Sequence, residues 1–249
     1  MKAKKVYEFV NPRERKRGFK AEELKKQHAI KSWVESTFGE DMRYNIITVF
    51  DEIFVEFPQD RITKDSFKEV NYRTAEYAEF PFNIKTNYLD LSDMRIDIIH
   101  NLLVNKMDLR GSNFKIIDTE FIKKFEDSPA EFVRTYLTAA GTDIKIIKLD
   151  TFEMDALYLG KCKNLKTLEI NNLKVKELDI SGTNIDKLPE NAIIKKLVIS
   201  HSKIREIPES IQVDEIEVDP LLNDKLIIPT SIKKNVKIKI RRRYYLDES

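Results

Sequence analysis

Two stretches of twelve residues decide the architecture: LDISGTNIDKLP, from Leu178 to Pro189, and LVISHSKIREIP, from Leu197 to Pro208. Each opens with apolar residues two positions apart, the spacing that places both side chains on one face of a β-strand. Each ends in proline, which stops a hydrogen-bonded segment and favours an extended return. A strand unit that recurs in this way predicts a solenoid.

Further copies of this unit lie on both sides of the two stretches. Ten copies open on apolar residues, and all but one of their spacings fall between 17 and 21 positions; the opening residues are Ile53, Val70, Leu89, Met107, Leu137, Leu157, Leu178, Leu197, Ile216 and Val236. Such a short turn cannot hold a strand, two corners and a long helix, so its return is predicted to be extended or 3₁₀. We therefore predict an α/β-type repeat solenoid with parallel strands over residues 44–240.

Small side chains recur five positions after the opening residue. Five successive copies place Ser112, Thr142, Cys162, Thr183 and Ser202 there. Hydroxyl and thiol groups at this position can bond the corner backbone of neighbouring turns, so we predict an inward ladder. The same position makes Cys162 a buried structural thiol rather than a nucleophile. The ladder is absent at Pro58, Ala75 and Met94, which predicts irregular first turns.

Together these residues resemble a leucine-rich repeat, whose pattern is LxxLxLxxN/CxL in copies of 20–29 residues. The resemblance covers about residues 44–240 and is most specific between 89 and 208. The chain departs from the pattern where Ser or Thr replaces the usual Asn or Cys. Its short copies with proline are similar to those of bacterial and bacteriophage members. That likeness implies a bacteriophage accessory protein that binds and inhibits or redirects a host protein, such as a defence factor, in the host cytoplasm.

Two segments have a helical pattern. Residues 21–38 place Leu24, Ile30, Trp33, Val34 and Phe38 along one side of a helix, and Gly39 follows as a stop. We predict that this helix caps the first turn, within a basic N-terminal segment and cap over residues 1–43. A second helix is predicted as an insertion over residues 119–136. This insertion is either a local variant that packs its aromatic residues inward or a docking site.

Charge is distributed unevenly along the chain. The 249 residues hold 44 Lys and Arg against 42 Asp and Glu, but residues 1–20 and 225–249 each hold eight basic and two acidic residues. Basic ends attract phosphate backbones, so one alternative is nucleic-acid binding through the termini. The other is that the ends are solvated or bind the acidic body. The residues of the nucleic-acid alternative are Arg13, Arg15, Lys16 and Arg17, with Arg241, Arg242 and Arg243 in a C-terminal tail over 241–249.

Composition and motifs exclude several classes of protein. A single Cys excludes a disulfide scaffold and a Cys-based zinc site, and 41% hydrophobic residues exclude a disordered chain. No apolar run has the length of a membrane span or a signal peptide, so we expect a cytoplasmic protein. Phosphate loops and catalytic motifs are absent, and His28, His100 and His201 lack metal-ligand spacing. We predict no catalytic residue, cofactor or metal.

Parallel stacking would bring alternate strand residues together on one concave face. Tyrosines on this face would be anchors for a protein partner, and its excess of acids disfavours nucleic acid there. We predict a non-enzymatic protein–protein interaction module that binds through this face and the 119–136 insertion. A structural or assembly component is a further alternative. The predicted contact residues are Tyr88, Asp90, Asp108, Arg110, Tyr136, Tyr158, Glu177, Asp179, Glu215 and Glu217.

Overall fold

The chain forms a parallel-strand β-solenoid of about seven turns with few helices. The structure is a computed structural model, and it describes residues 21–49, 52–58, 62–63, 66, 78–80, 82–114, 116–124 and 135–240. The helices in these ranges are α1 (Ala21–Phe38), α2 (Pro220–Asn223) and α3 (Thr230–Lys233). The strands are β1 (Asn45–Val49), β2 (Glu52–Glu56), β3 (Ala78–Phe80), β4 (Asn83–Asp90), β5 (Ile96–Ile99), β6 (Leu102–Asp108), β7 (Ile116–Lys123), β8 (Tyr136–Thr138), β9 (Ile146–Glu153), β10 (Ala156–Tyr158), β11 (Thr167–Asp179), β12 (Ile193–Val198), β13 (Gln212–Val218) and β14 (Lys237–Ile240).

One continuous sheet of twelve strands runs through the molecule. Its main path is β1-β2-β4-β6-β7-β9-β11-β12-β13-β14, and β8 and β10 bridge β6 to β11. Only β1 and β2 pair in antiparallel fashion within this sheet; the later neighbours are parallel, as stacked copies of one unit require. Strands β3 and β5 form a separate parallel pair. The predicted solenoid, its parallel strands and its extended returns are confirmed.

The opening residues of seven copies form one column, which we call the core column. They occupy matching register positions on adjacent strands: Leu89, Met107, Leu137, Leu157, Leu178, Leu197 and Ile216. Each is at most 1% exposed. Burial of one such side chain contributes roughly 1.5–3 kcal/mol relative to leaving it in water. The core column therefore supports every turn from the second to the next-to-last.

The first turn differs from its prediction. Ile62, rather than Val70, bridges to Leu89, and Val70 lies outside the described residues. Ile53 lies opposite Thr48 in the antiparallel β1–β2 pair, and β2 stacks on β4 with Val55 opposite Ile84, so Ile53 is not part of the column that contains Leu89. The missing ladder residue does not by itself explain this difference, because the Leu89 copy has Met94 at that position and still keeps the corner at Asp93.

The last turn is displaced by two residues. Ile238, rather than Val236, lies beside Ile216 in the core column. The two short helices α2 and α3 occupy this turn, and the segment they form changes the number of residues between successive strands. Asp219 caps α2, because its carboxylate accepts the backbone N–H of Leu222 at 3.0 Å.

Each turn changes direction four residues after its opening residue. Six residues at this corner position have φ between 58° and 75°: Asp93, Gly111, Gly141, Lys161, Gly182 and His201. Residues with a side chain rarely adopt this left-handed conformation, which costs about 1 kcal/mol or more. Hydrogen bonds between turns continue through the corner, as from the N–H of Lys161 to the carbonyl of Ser181 at 2.7 Å.

The corner at Gly141 allows a clean measurement of this cost. Its φ is +75°, and an added Cβ would meet nothing within 4 Å, so Gly141→Ala introduces backbone strain without a clash. We expect Gly141→Ala to lower the free energy of unfolding by about 1 kcal/mol in urea denaturation. Gly141→Asn is the control and should lose less, since asparagine tolerates this conformation. Equal stability of all three proteins would contradict the corner geometry.

The predicted inward ladder is present. Ser112, Thr142 and Thr183 are buried, and each hydroxyl donates to the carbonyl three residues earlier, at 2.5, 2.8 and 2.7 Å. All three hydroxyls thus bond the corner of their own turn, and that of Thr142 also contacts the Cys162 thiol of the next turn at 3.6 Å. The thiol of Cys162 does cross between turns, because it donates to the carbonyl of Ala139 at 3.0 Å.

The helix predicted over residues 21–38 is present as α1. Ile30, Val34 and Phe38 are buried in the main core. The Trp33 ring contacts Phe57 and Phe82 edge-on, with centroids 6.3 and 5.5 Å apart. Leu24 was expected on the same side, but it is 46% exposed, so that part of the prediction is wrong.

The helical insertion predicted over 119–136 is wrong for its first residues. Residues 119–123 belong to β7, which pairs with β9 and places Phe121 opposite Thr151 and Ile122 opposite Phe152. Parallel pairing satisfies the backbone of this segment and buries both side chains, so tertiary packing overrides its local helical pattern. Residues 125–134 lie outside the described residues.

Candidate functional site

The residues directly before and directly after each core-column residue point to the opposite side of the strands from the core, and their two columns together form what we call face A. The column one residue before each opening residue contains Tyr88, Lys106, Tyr136, Ala156, Glu177, Lys196, Glu215 and Lys237. The column one residue after it contains Asp90, Asp108, Thr138, Tyr158, Asp179, Val198, Glu217 and Lys239. Nine of the ten predicted contact residues therefore share one face, and the tenth, Arg110, bonds to Asp108.

Charges in the C-terminal half of face A neutralise one another across strands. The Lys196 ammonium lies 3.2 Å from a carboxylate oxygen of both Glu177 and Glu217. Lys239 lies 2.7 Å from Glu215. Burial alone would lower the pKa of Lys196, but hydrogen bonds to its two carboxylate partners raise it. The hydrogen bond from Lys239 lowers the pKa of Glu215. In this half, carboxylates and ammonium groups of neighbouring strands thus form ion pairs, and the surface does not have the excess of acid that residue counting suggests.

Asp108 is the one predicted contact residue that is buried. Its carboxylate receives the Arg110 guanidinium in a two-pronged interaction, with Nη2–Oδ2 at 2.6 Å and Nε–Oδ1 at 3.0 Å. The hydrogen bonds and charge of Asp108 raise the pKa of Arg110 above its usual range. Asp108 thus holds the exposed Arg110 side chain in place. The carboxylate of Asp108 is little exposed, and its role as a contact residue stays a prediction.

Tyrosines and cations occupy the N-terminal half of face A. Tyr88 and Tyr136 are partly exposed and lie on either side of Lys106 in the same column. Within the described part of the chain, Lys106 forms no ion pair. Tyr158 lies in the other column, where its hydroxyl donates to Glu177 at 3.1 Å. Three partly exposed tyrosines thus lie on neighbouring turns of face A together with Lys106.

A polar cluster that the sequence did not reveal joins two strands of face A at the residues directly before Tyr136 and Ala156. Asp155 is 8% exposed, and its Oδ2 accepts the backbone N–H of Thr135 at 2.8 Å and the Thr135 hydroxyl at 3.0 Å. Lys176 reaches the other carboxylate oxygen at 2.9 Å. Burial would raise the pKa of Asp155, but these hydrogen bonds lower it. The cluster fixes the backbone directly before Tyr136.

A second such cluster lies in the first turns. Asn101 is buried, and its amide donates to Glu52 at 2.9 Å while its oxygen accepts the hydroxyl of Thr119 at 2.7 Å. The same oxygen accepts the backbone N–H groups of Glu120 and Phe121. The side chain of Asn101 is therefore fully used in joining three turns, which is a structural role. Single asparagines between apolar residues gave no sequence signal for it.

The remaining candidates for chemistry have structural partners. Cys162 is fully buried, and burial raises the pKa of its thiol. The backbone N–H of His201 donates to Asp219 at 2.6 Å. No group of three or more His, Cys, Asp or Glu side chains in the described residues is arranged to hold a metal ion. No described helix has both the length and the apolar character needed to cross a membrane.

The seven basic residues of the nucleic-acid alternative lie outside the described residues. They are Arg13, Arg15, Lys16, Arg17, Arg241, Arg242 and Arg243. Nucleic-acid binding through the termini therefore stays a prediction from charge.

Comparison of the chain with protein-family models, with curated proteins and with solved structures finds no match.

Proposed function

We propose that the protein is a non-enzymatic protein-binding module that contacts its partner through the N-terminal half of face A. The observation that carries the proposal is the placement of Tyr88, Tyr136 and Tyr158 on neighbouring turns of face A that also carry Lys106 and Arg110. Tyrosine and arginine are the residue types that contribute most to binding energy when a partner desolvates them. Adjacent turns hold these side chains on strands, so little ordering entropy is lost on binding.

The position of the charges supports this half of face A over the other. The carboxylates of Glu177, Glu215 and Glu217 are held by lysines of neighbouring strands. A partner would have to break these pairs or cover them at a desolvation cost. In the N-terminal half, Lys106 has no carboxylate partner among the described residues, so its ammonium can meet an acidic group of the partner.

The finer structural assignment is part of the same proposal. The seven-copy core column and the inward ladder support a leucine-rich-repeat-like module, and the burial of α1 against the first turn supports its role as an N-terminal helical cap. A bacteriophage accessory protein that acts on a host protein in the host cytoplasm is the narrower form of the proposal. That form rests on the resemblance of the short repeats alone.

The test is affinity capture from a nuclease-treated bacterial lysate, with the bound proteins identified by mass spectrometry. The Tyr88→Ala/Tyr136→Ala/Tyr158→Ala variant should lose a stoichiometric partner, with roughly a hundredfold or greater rise in Kd for the purified pair. The control variant, Ile116→Ala/Ile193→Ala/Leu221→Ala, removes exposed apolar side chains outside face A and should retain the partner.

Two results would overturn the proposal. Retention of the partner by the tyrosine variant would show that face A is not the contact. Recovery of nucleic acid but no protein, when nuclease is omitted, would instead support binding through the basic termini.

A further inference from the structure

The C-terminal end of the solenoid exposes the edge of a strand. Strand β14 pairs with β13 on one side, and no described residue pairs with its other side. All four residues of β14 are exposed. An unpaired strand edge offers backbone N–H and C=O groups in the geometry that another extended segment can join.

Apolar side chains at this edge are incompletely buried. Ile238 continues the core column, whose earlier members are at most 1% exposed, yet Ile238 is 38% exposed and Ile240 is 51% exposed. Leu226, Ile228, Ile232 and Val236 pack only partly against the core in the same turn. One more strand on β14 would cover Ile238 as each earlier strand covers its predecessor.

The charges of the edge specify what that strand must carry. On an interior strand, Lys196 has a carboxylate partner on each of the two neighbouring strands, Glu177 on one and Glu217 on the other. At the edge, Lys239 has Glu215 on the β13 side alone, and Lys237 faces the same carboxylate. The edge thus presents two ammonium groups two residues apart, each without a partner on its outer side among the described residues.

These lysines also disfavour a second copy of the chain as the occupant. Pairing of two β14 edges would bring lysines of one strand against lysines of the other on the same face, and like charges at facing positions destabilise a strand pair. Lysine on an edge strand is a recognised means of preventing such self-pairing. An acidic strand would gain from the same two residues.

We propose that the free edge of β14 binds an extended acidic segment of a partner protein by strand addition. The segment carries Asp or Glu at two positions two residues apart, with an apolar residue between them. Strand β13 illustrates the fit, because its Glu215, Ile216 and Glu217 lie opposite Lys237, Ile238 and Lys239. This surface is separate from the tyrosine region of face A and does not depend on the function proposed for it.

The probe is a fluorescent peptide with the sequence of residues 210–219, SIQVDEIEVD, titrated into the full chain at low salt and followed by anisotropy. We expect saturable binding that weakens at least about tenfold in the Lys237→Glu/Lys239→Glu variant. The matched control, Lys163→Glu/Lys187→Glu, changes two exposed lysines elsewhere and should bind like the unaltered protein. The Tyr88→Ala/Tyr136→Ala/Tyr158→Ala variant should also bind the peptide unchanged.

A second arm leaves the protein unaltered. A peptide in which both glutamates are lysine should bind the native chain at least about tenfold more weakly, and it should bind the Lys237→Glu/Lys239→Glu variant better than the native chain. Thermal unfolding of each variant verifies that its fold is retained.

Four results would overturn the proposal. The first is that the native chain does not bind the peptide, and the second is that neither charge reversal affects binding. The third is binding only after deletion of residues 241–249, which would assign the edge to the chain's own C-terminal segment. A dimer in sedimentation equilibrium that is lost in the Lys237→Glu/Lys239→Glu variant would likewise assign it to a second copy.

Discussion

Cys162 of the folded protein is expected to react with a disulfide reagent roughly a thousandfold more slowly than the same thiol in the urea-unfolded chain. The side chain is 0% exposed, and its thiol donates to the carbonyl of Ala139. The thiolate is the reactive form, and burial raises the pKa of this thiol, so both access and ionisation are suppressed. Reaction then requires opening of the turn, which in a core segment costs about 4 kcal/mol or more.

The measurement follows the release of the coloured thiol product over time, with and without urea. An exposed thiol introduced by Lys163→Cys, in a chain that also carries Cys162→Ala, should react in the folded state at the rate of an unfolded cysteine. Fast reaction of Cys162 in the folded protein would contradict its place in the inward ladder. It would also support a nucleophilic role for this residue.

The regular part of the solenoid could be predicted from sequence because its repeat is visible in the spacing of individual apolar residues. Each turn contributes to the core column one of a pair of apolar residues two positions apart. The burial of that residue depends mostly on the turns directly before and after it. Leu178 and Leu197 are therefore placed correctly by their spacing alone. The pattern fails where Ile62 takes the place predicted for Val70, and at Val236, where the helices α2 and α3 change the number of residues per turn.

The insertion and the charges could not be predicted in the same way, because both depend on distant partners. Residues 119–123 have a helical pattern, but pairing with β9 makes them a strand. Counting acids against bases suggested an acidic face A, but the count does not show which lysines pair with which acids across neighbouring strands. Asp108 shows the same limit: its identity as an acid is visible in the sequence, and its enclosure under Arg110 is not.

The polar cluster behind face A predicts a large effect of a single substitution on stability. We expect Asp155→Ala to lower the free energy of unfolding by about 3 kcal/mol at pH 7, because it leaves the buried N–H and hydroxyl of Thr135 without an acceptor and removes the carboxylate partner of Lys176. Asp155→Asn keeps one acceptor oxygen and should lose less. Asp150→Ala, at an exposed carboxylate, should stay within about 0.5 kcal/mol of the native chain.

The same cluster should make the effect of Asp155→Ala depend on pH. The pKa of Asp155 in the folded chain is lowered, so the unfolded chain takes up a proton first as the pH falls. The stabilisation by this carboxylate is therefore complete above the unfolded pKa of about 3.9 and is lost as the pH falls through the lower folded pKa. Urea unfolding at a series of pH values should show the difference between the native chain and Asp155→Ala shrinking below about pH 4. A difference that stays constant down to pH 2 would show that Asp155 acts through packing and not through its charge.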